Sequence, residues 1–93
     1  MDPVLQQIKN ITLQYDVRKI VLFGSRARGD NSPVSDYDIA VFAENMTDEH
    51  KTRFTFDIQE VDTLKKIDVL FIDDHTNAEL MQAINKDGIV VYG

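Results

Sequence analysis

Five residues in this chain are of types and at spacings that can do phosphate and metal chemistry. Gly24 and Ser25 follow an apolar run, Asp36 and Asp38 sit two apart at the start of another, and Asp68 falls inside a third. A backbone turn entering a helix exposes unpaired N–H groups and a partial positive charge, which together hold phosphate. Gly24 lets a phosphate approach the backbone closely, and Ser25 adds a hydroxyl donor. Arg26 and Arg28 follow at once, and arginine suits phosphate geometry. The plainer reading of these four is a turn after a strand with two solvated arginines.

Asp36 and Asp38 fall on one face of a strand, because side chains alternate across it. Like charges so placed stabilise nothing by themselves. As hard oxygen donors they suit Mg²⁺ that also carries substrate phosphates. A lone pair of this kind also reads as a polar strand edge, with Asp36 capping the loop. Asp68 lies in the run Ile67–Ile72, where an unpaired charge is costly. A metal shared with Asp36 and Asp38 would give it a partner. Equally, Ile67 can face the core while Asp68 faces solvent.

The elements that must position these residues are legible from periodicity. Residues 3–15 carry Val4, Ile8, Ile11 and Tyr15 at helical spacing, widened by Leu5, with Asp2 and Pro3 as start signals. Residues 18–23 form a buried strand ended by Gly24. Residues 25–35 form a short helical turn and then a polar loop with Gly29, Asp30, Asn31 and Pro33. A second strand covers 36–42. A helix runs from the cap Thr47 to about Lys65, with Phe54, Ile58 and Val61 as its apolar stripe and Asp48 and Glu49 in its first turn. A third strand covers 67–72, a last helix roughly 76–86 stopped by Gly88, and a closing strand 89–92. The alternation predicts a small α/β (α+β) domain over residues 1–93, with one mixed sheet of about four strands and helices packed on it. Phe54, Phe56 and Phe71 are assigned to the core. Tyr37 packs on the sheet face opposite the aspartates, Met46 and Met81 fill gaps, and His50 and His75 lie on the surface.

Composition narrows the function. The chain has 93 residues and no cysteine, so disulfides and thiolate metal sites are out, and a reducing, cytoplasmic setting fits. No apolar run reaches the roughly 20 residues of a membrane span, and the opening MDPVLQQIKN lacks the pattern of a signal peptide. With 10 Lys+Arg against 16 Asp+Glu, net charge −6, a broad nucleic-acid surface is not expected. Phosphate charge would be met locally, by Mg²⁺ and a few arginines.

Taken together, Gly24-Ser25, then Asp36-x-Asp38, then an aspartate in a later strand resemble the DNA polymerase beta-like nucleotidyltransferase superfamily. The run GSRARGDNSPVSDYDIAV looks like its minimal nucleotidyltransferase (MNT) branch, and the likeness in layout extends to GIVVYG at the end. The resemblance implies that Gly24 and Ser25 hold the β- and γ-phosphates of ATP, that Asp36 and Asp38 ligate two Mg²⁺, and that Asp68 completes the metal site and helps deprotonate the attacking hydroxyl. It further implies an antitoxin that transfers AMP to a tyrosine of a helical HEPN-type toxin. Larger relatives carry an extra domain that forms the acceptor site, for which this chain has no room, so a partner chain is expected to complete it. Two other readings compete: a module that neutralises its partner by contact alone, and a small-molecule nucleotidyltransferase completed by homodimerisation.

Overall fold

The computed structural model describes residues 2–29 and 36–93. The elements run α1 (Pro3–Thr12), β1 (Lys19–Phe23), α2 (Ser25–Arg28), β2 (Tyr37–Phe42), α3 (Asp48–Gln59), β3 (Ile67–Phe71), α4 (Ala78–Asp87) and β4 (Ile89–Tyr92). One four-stranded sheet has the order β3-β2-β1-β4. Strand β1 is antiparallel to both β2 and β4, whereas β2 and β3 are parallel. A parallel neighbour cannot be reached by a hairpin, so α3 serves as the crossover between β2 and β3. The mixed α/β sheet expected from the sequence is the one observed. Of the polar loop expected after α2, Asp30, Asn31 and Pro33 lie outside the described residues.

Each long helix starts on a capping side chain. The Val4 N–H donates to Asp2 Oδ1 at 2.7 Å, with Pro3 in the first turn where its missing N–H costs nothing. The His50 N–H donates to Thr47 Oγ1 at 3.2 Å. The Glu79 and Leu80 amides both donate to Asn77 Oδ1, at 2.8 and 3.2 Å, which places the start of α4 two residues after the predicted one.

Two helices end earlier than their apolar stripes suggest. Helix α1 stops at Thr12, whose buried hydroxyl donates to the Ile8 carbonyl at 2.7 Å. Gln14 and Tyr15 then bond three residues back, to the Ile11 and Thr12 carbonyls, a tighter turn than an α-helix makes. Helix α3 stops at Gln59 rather than near Lys65. The Glu60 and Val61 amides again bond three residues back, and the Gln59 side chain donates to the Ile67 carbonyl at 2.9 Å, pinning the helix end to the start of β3. Val61 is buried as its spacing suggested, but from a turn.

The sheet is covered unequally. On one face, Ile20, Leu22, Tyr37, Ile39, Val41, Ile67 and Val91 pack against Ile8 of α1 and Phe54 and Ile58 of α3. On the other, Val21, Ala40 and Phe42 pack against Ile84 of α4, with Leu80 and Met81 alongside. Phe54 meets Tyr15 edge-on at 5.2 Å between ring centroids and Phe71 at 6.1 Å. Tyr37 and Met46 are buried, and His50 and His75 are exposed, as predicted. Phe56 is not in the core: it is 68% exposed. Residues two apart on a helix point away from each other, so burying Phe54 and Ile58 turns Phe56 outward.

This orientation of α3 predicts very different costs for two similar truncations. Phe54→Ala should destabilise by about 3–5 kcal/mol, the usual cost of emptying a fully buried aromatic site. Phe56→Ala should stay within roughly 0.5 kcal/mol of wild type. Urea unfolding checks both, and comparable losses would overturn the assigned face of α3.

Candidate active site

The site assembles at one end of the sheet, where β1 stops and β2 and β3 begin. Gly24 leaves β1 with φ 77° and ψ −157°, a conformation that only glycine adopts without strain. A second constraint acts on the same residue. A Cβ on Gly24 would lie 2.5 Å from Asp38 Oδ2, so bare backbone passes directly over the Asp38 carboxylate. The four-residue α2 then forms on two bonds, Arg28 N–H to the Gly24 carbonyl at 3.2 Å and Gly29 N–H to the Ser25 carbonyl at 3.0 Å. Gly29, at φ 81°, closes it in the left-handed conformation common after helix ends.

Strand register brings the acids together. Asp38 is paired with Phe23 on β1 and with Asp68 on β3. Adjacent strands lie about 4.8 Å apart, so two carboxylates project side by side from neighbouring strands. Alternation sends Tyr37 and Ile39 into the α1/α3 core and Asp38 to the opposite face, beyond the patch of Val21, Ala40 and Phe42 that α4 covers. Asp36, one residue before β2, is exposed, and its Oδ1 accepts the Lys66 N–H at 3.3 Å. Lys66 Nζ also pairs with Asp68 Oδ1 at 3.3 Å. Asp68 is therefore not enclosed in an apolar run: its side chain is 46% exposed, while Ile67 beside it takes the core position.

Asp38 carries the electrostatic tension of the site. Burial pushes its pKa above the usual carboxylate range, and the neighbouring charges of Asp68 and Asp36 and a hydrogen bond shared with Asp68 push the same way. Arg28 alone among the named contributors pulls it back. Such a group is relieved by a cation. Among the described residues, no three acidic or histidine side chains are already drawn into a closed metal cage. The donors nonetheless fit Mg²⁺, which takes one or two carboxylates and leaves its other positions to water and phosphate oxygens.

The predicted site residues thus divide. The structure brings together Gly24, Asp36, Asp38 and Asp68, with Ser25 opening α2 and Arg28 near Asp38. Arg26 turns to a different neighbour: its guanidinium lies 4.0 Å from the centroid of the Tyr37 ring. Sequence reasoning missed Lys66, although two residues before Asp68 is the same side of the strand. It read Asp2 only as a helix start and missed that its Oδ2 accepts the Tyr37 hydroxyl at 2.7 Å across 35 positions of sequence. The surface hollows along α1 and α3, one of about 410 Å³ lined by Gln7, Asn10, Gln14 and Asp57, belong to the other side of the sheet.

Several solved structures share this fold. A toxin–antitoxin complex with AMP-PNP superposes with a TM-score of 0.73 at 22% identity, over 96% of this chain and 73% of that one. The toxin–antitoxin MntA–HepT gives 0.68 at 18% identity, over 100% and 73%. A tri-AMPylated Shewanella oneidensis HEPN toxin in complex with MNT antitoxin gives 0.61 at 20%, over 96% and 72%. No curated protein matches the chain at a significant level. Residues 6–93 match the family described as Polymerase beta, Nucleotidyltransferase, a span that takes in the whole sheet and the glycine, serine and three aspartates of the site, and the chain therefore belongs to that nucleotidyltransferase family.

Proposed function

We propose that this chain transfers AMP from ATP, with two Mg²⁺, to a tyrosine hydroxyl of a helical HEPN-type partner, and so acts as an antitoxin by AMPylation. The observation that carries the reading is the pairing of Asp38 with Asp68 across β2 and β3, beneath the bare backbone of Gly24. Support for the acceptor comes from the neighbours, which include a tri-AMPylated HEPN toxin with its MNT antitoxin. Support for ATP comes from the complex holding AMP-PNP. A net charge of −6 fits a protein acceptor better than direct nucleic-acid binding, and among the described residues no helix is long and apolar enough to cross a membrane. We place the reaction in the cytoplasm and treat residues 1–93 as one working domain.

In this reading Gly24 and Ser25 bind the β- and γ-phosphates, through backbone N–H groups and the Ser25 hydroxyl. Asp36, Asp38 and Asp68 are the ligands for magnesium. The metal supplies charge stabilisation for the entering hydroxyl oxygen and the departing pyrophosphate. Asp68, half-exposed on the edge strand β3, takes the proton of the attacking hydroxyl. Arg28, already close enough to act on Asp38, adds positive charge beside the phosphates. Transfer forms a bond from the tyrosine oxygen to the α-phosphorus and breaks the bond to the bridging oxygen of pyrophosphate.

Asp36→Asn/Asp38→Asn should abolish Mg·ATP binding while leaving the fold intact, because it removes two mutually repelling charges. In the wild type, ligand at a hundred times Kd adds about 2.7 kcal/mol, which for a domain this size raises Tm by roughly 10 °C or more. The double variant should show no such rise, and calorimetry returning wild-type affinity for it would sink the assignment.

Without ligand, the raised pKa of Asp38 fixes the sign of a pH effect. A carboxyl whose pKa is higher folded than unfolded contributes stability at low pH and loses it as pH climbs through the folded value. Asp38→Asn should therefore melt above wild type near neutrality. The gap should narrow as pH falls towards about 4, the unfolded value for aspartate. A gap that widens on acidification contradicts this electrostatic picture.

Transfer itself is read by intact mass. Co-expressed with wild type, the partner should gain about 329 Da per AMP residue, and with Asp36→Asn/Asp38→Asn it should gain nothing. A partner that is inhibited yet unmodified in both cases would replace the enzyme with a contact-only antitoxin.

A further inference from the structure

Helix α2 is only four residues long, and a helix of one turn does not hold its shape alone. Yet it begins at the phosphate-facing turn and must keep a fixed distance from the aspartates. Ala27 packs against the α1/α3 core, and a second contact able to impose that distance involves Arg26. Its guanidinium sits 4.0 Å from the Tyr37 ring centroid, and Tyr37 stands between Asp36 and Asp38 on the opposite face of β2. The ring is itself immobilised. Tyr37 is 4% exposed within the α1/α3 core, and its hydroxyl donates to Asp2 Oδ2 at 2.7 Å. The other Asp2 oxygen caps α1 by accepting the Val4 N–H.

Resting on the nucleotidyl-transfer reading above, we infer that Arg26 is a positioning residue: stacked on a Tyr37 ring that Asp2 anchors, it fixes the Gly24–Ser25 turn against the metal-binding start of β2. A cation over the face of a buried ring is attracted by the ring's quadrupole, more strongly as water is excluded. The charge of Arg26 also reaches Asp2. Burial pushes the Asp2 pKa up, but hydrogen bonds from Tyr37, Val4 and Leu5 and the Arg26 charge outweigh it and hold the carboxyl below its usual value. The guanidinium is thus attracted by the ring below it and by the carboxylate behind. Clearance at the turn is small, since a single added carbon at Gly24 would collide with Asp38. A slight tilt of α2 therefore shifts the phosphate-facing amides relative to the carboxylates.

The test measures Mg·ATP affinity by calorimetry and amide hydrogen exchange at Arg28 and Gly29, whose bonds hold α2 together. Arg26→Met, which keeps the stem but loses the cation, should speed exchange at those two amides and weaken Mg·ATP, each on the order of tenfold, with Tm little changed. Arg26→Lys should recover part of both. Tyr37→Phe keeps the ring beneath the cation and should preserve most of the exchange protection, whereas Tyr37→Leu should reproduce Arg26→Met. Weakened affinity with unchanged exchange would overturn the proposal in favour of direct phosphate contact by Arg26. No change in either would overturn it outright. If wild type binds no Mg·ATP, the nucleotidyl-transfer reading fails, while the exchange rates of the two amides still decide whether Arg26 holds α2.

Discussion

The structure depends on two carboxylates held abreast. Asp38 and Asp68 are register partners on parallel strands, and their charges repel each other. Their pairing is imposed from beneath, by the strands that carry them. Ile39 pairs with Val69 one step along, and Tyr37 with Ile67 one step back. The inward side chains of those steps belong to or pack against the α1/α3 core, whose burial exceeds by far what charge repulsion at the rim costs. The parallel relation in turn needs a crossover, which α3 provides while bringing Phe54 and Ile58 onto the same face. The requirement for adjacent acids on parallel strands therefore accounts for the helix between them and for much of the core.

Alternation along β2 separates stability from chemistry residue by residue. Tyr37, Ile39 and Val41 serve the large core; Asp38 serves the site; Ala40 and Phe42 serve the smaller core beneath α4. The fully buried part of the smaller core ends short of Asp38, whose register partner Phe23 is only partly buried against it. One strand thus passes from a half-exposed charged end to an end buried on both faces. Gly24 completes the arrangement from β1. Its positive φ turns the chain over Asp38, and its lack of a side chain leaves that carboxylate room.

Much of this was legible in the sequence, and the reasons are local. Asp36-x-Asp38 announces a shared face because strand periodicity is two. Gly24-Ser25 announces a turn into a helix, and Asp2, Thr47 and Asp48-Glu49 announce helix starts. What escaped was set by distance in sequence or by competition between signals. Val61 continues the spacing of Phe54 and Ile58, a stripe that predicts a longer helix, but the Gln59 bond to the Ile67 carbonyl pins the helix end before it. Phe56 looked like core by composition, yet helix geometry left it outside. The Tyr37 hydroxyl bond to Asp2 joins positions that no local pattern connects. Asp68 was legible as a candidate but not its surroundings, which depend on Lys66 and on exposure at the strand's beginning.

Lys66 shows how a site of unrelieved negative charge can persist in a stable chain. Its N–H meets Asp36 and its ammonium meets Asp68, so one residue answers two of the three acids. Neither contact is strong. The ion pair is well exposed on both sides, at 71% and 46%, and such pairs are worth at most about 1 kcal/mol in water. Asp38, more enclosed, feels burial and both acids, with Arg28 as the counterweight. A weak, solvated cation at the rim offsets repulsion without committing the carboxylates. In the proposed reaction, a divalent metal carrying phosphates would compete with an ammonium that loses little on leaving. The net charge of −6 acts in the same direction, because it disfavours broad contact with nucleic acid, while the proposed Mg²⁺ would bring the phosphates in already partly neutralised.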